Sequence, residues 1–320
     1  MDWRLKSLAF HVLSRLPFGS SVHGALQRHV TRRYFHTVTP AALATPRFHV
    51  ERFQALPSGS VALEFGAGRN LLTSLMLSHA GAARVYAIDL VRLATIEQVN
   101  GVIGQLKELV PGEWPAIASF DDLERLYRIH YQAPGDARAT GLPDQSVDFI
   151  CSTAVLEHIP EPDIRAILRE CLRIASTQAR FSFIIDYHDH YGTADSEITL
   201  WNFYRYSQKQ WRKFNPPNHY QNRLRHSDHE HIFREFDLEI VEGERAIPSW
   251  AEPSLNRVSV CGEFARYSRE DLLTAGGRFL LRPTGAVKPP EVQLQHHQHL
   301  STGADRMKIS CNGSARAGGR

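Results

Sequence analysis

Cysteine is scarce in this chain: four in 320 residues, Cys151, Cys171, Cys261 and Cys311. None stands in a Cys-x-x-Cys pair or at a zinc-site spacing, which excludes a disulfide scaffold and a structural zinc module. They read as the reduced thiols of a cytoplasmic protein. Long apolar runs are missing too. No stretch approaches the ~20 residues that cross a bilayer, and His11 and Arg15 interrupt the apolar N-terminus, so no signal peptide is expected. Charge of one sign is not in excess, since a formal net charge of +3 gives no reason to expect a nucleic-acid partner. No internal repeat is found. What is present is a 42% apolar composition, enough for a substantial core, over a length that favours one α/β domain with extensions.

The organising stretch is Val61-Ala62-Leu63-Glu64-Phe65-Gly66-Ala67-Gly68-Arg69-Asn70-Leu71-Leu72. An apolar run ends in an acid, turns on Gly66 and Gly68, and passes into a helical pattern. That is strand, tight turn and helix, the opening of a βαβ unit. Its glycines let a ligand approach the backbone at the positive end of the new helix. The dinucleotide fingerprint wants a third glycine at position 71, where this chain has Leu71.

Three further signals follow at matching intervals. Arg84–Asp89 reads as a second strand ending in an acid, Asp89, with Leu90 beside it, where a ribose-binding carboxylate belongs. Gly135-Asp136-Ala137 precedes Val147–Cys151, a further strand. Ser152-Thr153-Ala154-Val155-Leu156-Glu157-His158-Ile159-Pro160 leaves that strand. Together these four resemble the ordered motifs of class I S-adenosylmethionine-dependent methyltransferases. The resemblance implies a Rossmann-like α/β fold: a seven-stranded, mostly parallel sheet with an antiparallel last strand inserted beside the sixth, and helices on both faces. It further implies that S-adenosyl-L-methionine is the cofactor. Glu64, Gly66, Ala67 and Gly68 would hold its methionine portion, Asp89 and Leu90 its ribose side, Asp136 and Ala137 its adenine, and Cys151, Ser152 and Thr153 its methyl-bearing end. Asn70, which tolerates positive φ, would keep the turn workable without the third glycine.

The remaining chain divides into extensions around this unit. Residues 1–56 read as a basic helical extension, either a lid, a helix lying on anionic membrane, or an accessory packed on the core. Trp3, Leu8, Phe10, Val12, Leu13 and Leu16 would form its apolar side. Residues 57–283 form the methyltransferase-like domain, and 284–320 a disordered polar tail whose His296, His297 and His299 are not expected to hold a metal.

Within the domain, residues 187–230 stand out as a substrate-side insertion. Its aromatic residues interleave with arginine and asparagine, a composition suited to a hydroxyl-rich substrate. Tyr187, Arg205, Arg223 and Arg225 are the candidate substrate contacts. The insertion resembles that of methyltransferases associated with polysaccharide and glycan gene clusters. The expected acceptor is therefore an oxygen or nitrogen of a polar small molecule or glycan.

A hydroxyl acceptor needs a general base. His158, His188 and Asp186 are the candidates, in that order. Asp186, His188, Asp189 and His190 also offer the donors of a divalent-metal set. No metal is expected there, because side chains alternating along an extended loop do not all point one way. A nicotinamide oxidoreductase and a degenerate, non-catalytic binding subunit stand as alternatives. Leu71 argues against the first, and the retained acids and glycines against the second. Oligomeric state is left open.

Overall fold

The computed structural model describes residues 2–15 and 38–285. Residues 16–37 of the N-terminal extension and the C-terminal tail with its histidines lie outside these residues.

Seven strands build one sheet in the order β3-β2-β1-β4-β5-β7-β6. They are β1 (Val61–Phe65), β2 (Arg84–Ile88), β3 (Ile129–Gln132), β4 (Val147–Thr153), β5 (Ala175–Asp186), β6 (Leu238–Ala246) and β7 (Gly276–Pro283). β1 to β5 pair in parallel, and β7 runs antiparallel between β5 and β6. The sheet therefore has the expected Rossmann-like methyltransferase architecture. Strand order reverses between β1 and β4, and the crevice at such a reversal is where α/β sheets place ligands.

The central strands are short, apolar and buried on both faces, as parallel strands covered by helices must be. Helices α2 (Ala44–Phe53), α3 (Leu72–His79), α4 (Ile96–Leu109), α5 (Phe120–Tyr127), α6 (Glu161–Ile174) and α7 (His226–Glu235) supply the cover. One apolar cluster joins Leu75, Val85, Val99, Leu106 and Phe149, and a second joins Leu63, Ile150, Leu168, Phe181 and Phe233. α4 is capped by Thr95, whose side chain accepts from the Gln98 N–H. β5 begins at Ala175, which pairs with Val147 ahead of a register shift.

A third cluster corrects the reading of the insertion. Trp201, Phe203, Tyr204 and Trp211 are buried and pack on Leu255 and Phe264. They form a small second core and not an open stacking platform. Helix α1 (Trp3–Arg15) joins it through Trp3, whose ring lies 4.7 Å from Phe214 and 5.5 Å from Tyr191. The Trp3 N–H donates to Asp195 at 2.9 Å. The apolar side of α1 differs from expectation: Trp3 and Phe10 turn inward, whereas Leu5, Leu8 and Val12 are exposed.

Candidate active site

The site is assembled at the carboxyl ends of β1, β2, β4 and β5. After β1, Gly66 and Gly68 take positive φ values of +69° and +71°. A Cβ on Gly66 would stand 2.3 Å from Val155 Cγ2, so the loops after β1 and β4 touch there through a bare backbone. The residue that turns the chain into α3 is Leu71 at φ 53°, not Asn70. Leu71 is fully buried, and its packing outweighs the left-handed penalty. Asn70 Oδ1 instead accepts from the Leu72 N–H at 3.2 Å.

Asp89 holds two loops together. Its Oδ2 accepts from the Gly68 N–H at 2.9 Å and its Oδ1 from the Val91 N–H at 3.2 Å. The Gly135 N–H reaches the Asp89 carbonyl at 2.8 Å, bringing the loop after β3 alongside. Leu90 and Val91 are 64% and 55% exposed, an apolar rim next to that carboxylate.

Asp136 is half-buried and takes a fork from Arg138, with Nη2 at 2.7 Å and Nε at 3.0 Å. That fork holds its carboxyl below the usual range. Glu64 is buried. Burial raises its carboxyl to about 7, opposed by hydrogen bonds from Ser74 and Thr73. With the Ser74 hydroxyl at 2.5 Å, Glu64 caps α3 from beneath the turn. Ala67 is buried and Ala137 half-buried.

Cys151 and Ser152 are fully enclosed, and only Thr153 comes to the open end of β4. His49, which sequence reasoning missed, fixes it. His49 Nε2 lies 2.9 Å from Thr153 Oγ1 and Nδ1 lies 2.7 Å from Ser182 Oγ. A histidine between two apolar neighbours on an amphipathic helix gave no signal of this.

Past β4 and β5, five titratable side chains converge. His188 Nδ1 and Asp186 Oδ1 are 2.5 Å apart, and His190 Nε2 lies 3.7 Å from Asp186 Oδ2. Partial burial works to raise Asp186, but hydrogen bonds from His188 and His190 hold it down at about 2. The strand ends at Asp186, and a bend at 188 and a turn at 190 fold the chain so that one ligand atom of each of Asp186, His188 and His190 lies within 4.8 Å of the others. The objection from alternation applies only to Asp189, which turns inward, fully buried, to accept from the Tyr191 N–H at 2.8 Å and Asn202 Nδ2 at 3.1 Å.

His158 Nδ1 lies 2.8 Å from the Tyr220 carbonyl, which leaves Nε2 without its proton. Its ring centre is 4.8 Å from that of His190. Desolvation, then the charge of His190, lowers its pKa. Glu157, which was not picked out as a site residue, is 2% exposed; its carboxylate meets no side-chain donor, and the Glu157 and Asp186 backbone N–H groups that approach it close no well-formed hydrogen bond. Burial, with Asp186 near, pushes its carboxyl well above the usual range.

The candidate substrate contacts fall elsewhere. Arg225 is fully buried; its guanidinium donates to the Tyr187 carbonyl at 2.8 Å and 2.9 Å and to the Thr274 carbonyl at 3.3 Å. Arg223 is 7% exposed and donates to the Tyr206 carbonyl at 2.6 Å and to Gln208 Oε1 at 2.5 Å. Tyr187 is buried in the sheet-side cluster with Phe181 and Phe233, and Arg205 points outward to the Arg257 carbonyl at 2.8 Å. Three of the four are therefore props of the insertion, because a loop this long must satisfy its own carbonyls. A hollow of about 260 Å³ lined by Pro57, Ser60 and Asp148 sits at the opposite, amino-terminal ends of β1 and β4.

Residues 63–183 match the family model described as "Methyltransferase domain". No curated protein matches the chain. Among solved structures, the YcgJ protein of Bacillus subtilis is 14% identical, with TM-score 0.43 over 76% of this chain and 99% of its own. A SAM dependent methyltransferase from Aquifex aeolicus is 17% identical, with TM-score 0.39 over 76% of this chain and 93% of its own. The PH0226 protein of Pyrococcus horikoshii OT3 is 11% identical, with TM-score 0.45 over 78% and 94%.

Proposed function

We propose that the S-adenosylmethionine-dependent methyltransferase domain carried by this chain methylates an oxygen of a polar small molecule or glycan. The carrying observation is the His188–Asp186 pair at the end of β5, 2.5 Å apart. A carboxylate that accepts a hydrogen bond from Nδ1–H fixes the imidazole tautomer and presents Nε2 as a base. A hydroxyl acceptor needs such a base, whereas a neutral amine does not.

The residues at the strand ends fit the cofactor. Gly68 leaves an open backbone, with nothing nearer to a Cβ there than the Gly66 carbonyl at 3.9 Å, Asp89 offers a carboxylate for paired hydroxyls, and Leu90 and Val91 offer apolar cover for a purine. Asp136 and Ala137 would meet the adenine edge and Thr153 the methyl-bearing end. Glu64 acts through α3, by holding the turn. When bound, the sulfonium supplies a methyl group that already carries its leaving group. The chain must orient an acceptor, take its proton at His188 Nε2 and exclude water.

Residues 1–56 serve in this reading as an extension, and 187–230 as a cap beside the acceptor. The exposed Leu5, Leu8 and Val12, with Arg4 and Arg15 also exposed on α1, support peripheral contact with an anionic membrane. Among the described residues, no helix is long and apolar enough to cross one. Cys151 and Cys171 are buried and unpaired, in keeping with a cytoplasmic setting.

The test is a methyl-transfer assay over sugar, nucleoside and phenol hydroxyls, run beside amines. His188→Ala should lower turnover ~10²–10⁴-fold while S-adenosylhomocysteine affinity holds. Equal turnover in the variant, or preference for amines, overturns the reading.

A further inference from the structure

We propose that Glu157, His158 and His190 bind one first-row transition-metal dication between the ends of β4 and β5. One ligand atom from each lies within 4.8 Å of the others. Donors around an ion at ~2.1 Å stand roughly 3–4 Å apart, so small side-chain rotations complete the set.

Three independent features point to a ligand. The Glu157 carboxylate is enclosed and unpartnered, and a buried acid with no well-formed hydrogen bond is costly unless something else meets it. His158 Nδ1–H donates a hydrogen bond to the Tyr220 carbonyl, the outer contact that orients a metal-binding imidazole and frees Nε2. The outer frame is tied down as well. Asn222 donates to the Leu156 and Ile159 carbonyls at 2.7 Å and 2.8 Å, and its N–H meets the Glu157 carbonyl at 2.9 Å. Gln221 donates to the His188 carbonyl at 2.5 Å.

Two imidazoles and one carboxylate favour zinc, manganese, iron or cobalt over magnesium and calcium, which prefer all-oxygen sets. Three protein ligands leave further positions open on the ion. An acceptor hydroxyl held at one of them would be more acidic and would lie beside His188. Binding of the ion stands on the donor set alone, and only its use in catalysis rests on the methyl-transfer reading.

The full-length protein, stripped with a chelator, is titrated calorimetrically with CoCl₂, MnCl₂ and ZnCl₂, and the cobalt spectrum is followed. Wild type should take up about one ion per chain at this site. His190→Ala and Glu157→Gln should each weaken that binding at least ~10–100-fold. His296, His297 and His299 are common to all three proteins, so any tail binding cancels in the comparison. S-adenosylhomocysteine titrated into each protein should show unchanged affinity, which separates failure of this site from failure of the cofactor reading. Absence of binding to wild type, or affinity equal in wild type and His190→Ala, overturns the proposal.

Discussion

His49 Nε2 stands 2.9 Å from Thr153 Oγ1, joining a helix that precedes the sheet to the last residue of β4. The imidazole is fully buried and neutral. Burial, then the charges of Arg52 and Arg278, lowers its pKa to about 3.

This sets the sign of one pH effect. The unfolded chain takes a proton at His49 near the ordinary histidine value of 6.5, and the folded chain does not until about 3. Stability from this group is complete above 6.5 and is lost as pH falls toward 3, at up to ~1.4 kcal/mol per pH unit. His226, at about 3, and His229, at about 4, act in the same direction. His49→Gln should therefore flatten the fall in chemical-denaturation stability between pH 6 and 4 without removing it. A slope identical to wild type would show that His49 is not buried neutral.

The two turn glycines should respond differently to alanine. At position 66 the new Cβ meets Val155 Cγ2 at 2.3 Å and Cγ1 at 2.8 Å, and valine has few rotamers to retreat into. At position 68 the nearest neighbour is the Gly66 carbonyl at 3.9 Å, so only the positive φ, costing roughly 1–2 kcal/mol, opposes it. Gly66→Ala should lower the melting temperature more than Gly68→Ala. Gly68→Ala should fold and lose affinity for S-adenosylhomocysteine. Calorimetric scanning with ligand titration measures both, and equal thermal losses would contradict the geometry.

Asp89 already bonds the Gly68 and Val91 N–H groups, so it shapes the cleft as well as facing it. Asp89→Ala should weaken S-adenosylhomocysteine binding by roughly 1–3 kcal/mol, the cost of stranding polar partners. Asp89→Asn, which keeps one acceptor oxygen, should lose less. A dissociation constant unaltered in both variants removes Asp89 from the site.

The sheet was legible in the sequence because its signals are local. Glu64-x-Gly-x-Gly, Asp89 and the Val147–Cys151 run each mark a strand end at the interval a βαβ unit requires. The histidine cluster was half legible. His158, His188 and Asp186 stand out as acid–base candidates, yet alternation along the loop argues against a shared site with His190, and Glu157 gives no signal beyond its place in the segment that leaves β4. The insertion was legible least. Arginine and aromatic residues have the same composition whether they grip a ligand or hold up a loop, and only the partners of Arg225 tell these apart. Trp3 is a similar case, since its partners lie some 190 to 210 residues away.

Arg225 provides the sharpest contrast between the two roles. Its guanidinium is fully buried, lies 5.0 Å from the Tyr187 ring and satisfies two backbone carbonyls. Were it a substrate grip, Arg225→Lys would raise KM and leave stability alone. As a buried prop, the substitution forfeits the planar fork and strands carbonyl groups, a loss of about 2–4 kcal/mol. Arg225→Lys should therefore lower the melting temperature by several degrees, while S-adenosylhomocysteine affinity measured below the transition stays near wild type. A variant as stable as wild type with an altered acceptor KM would return Arg225 to the substrate.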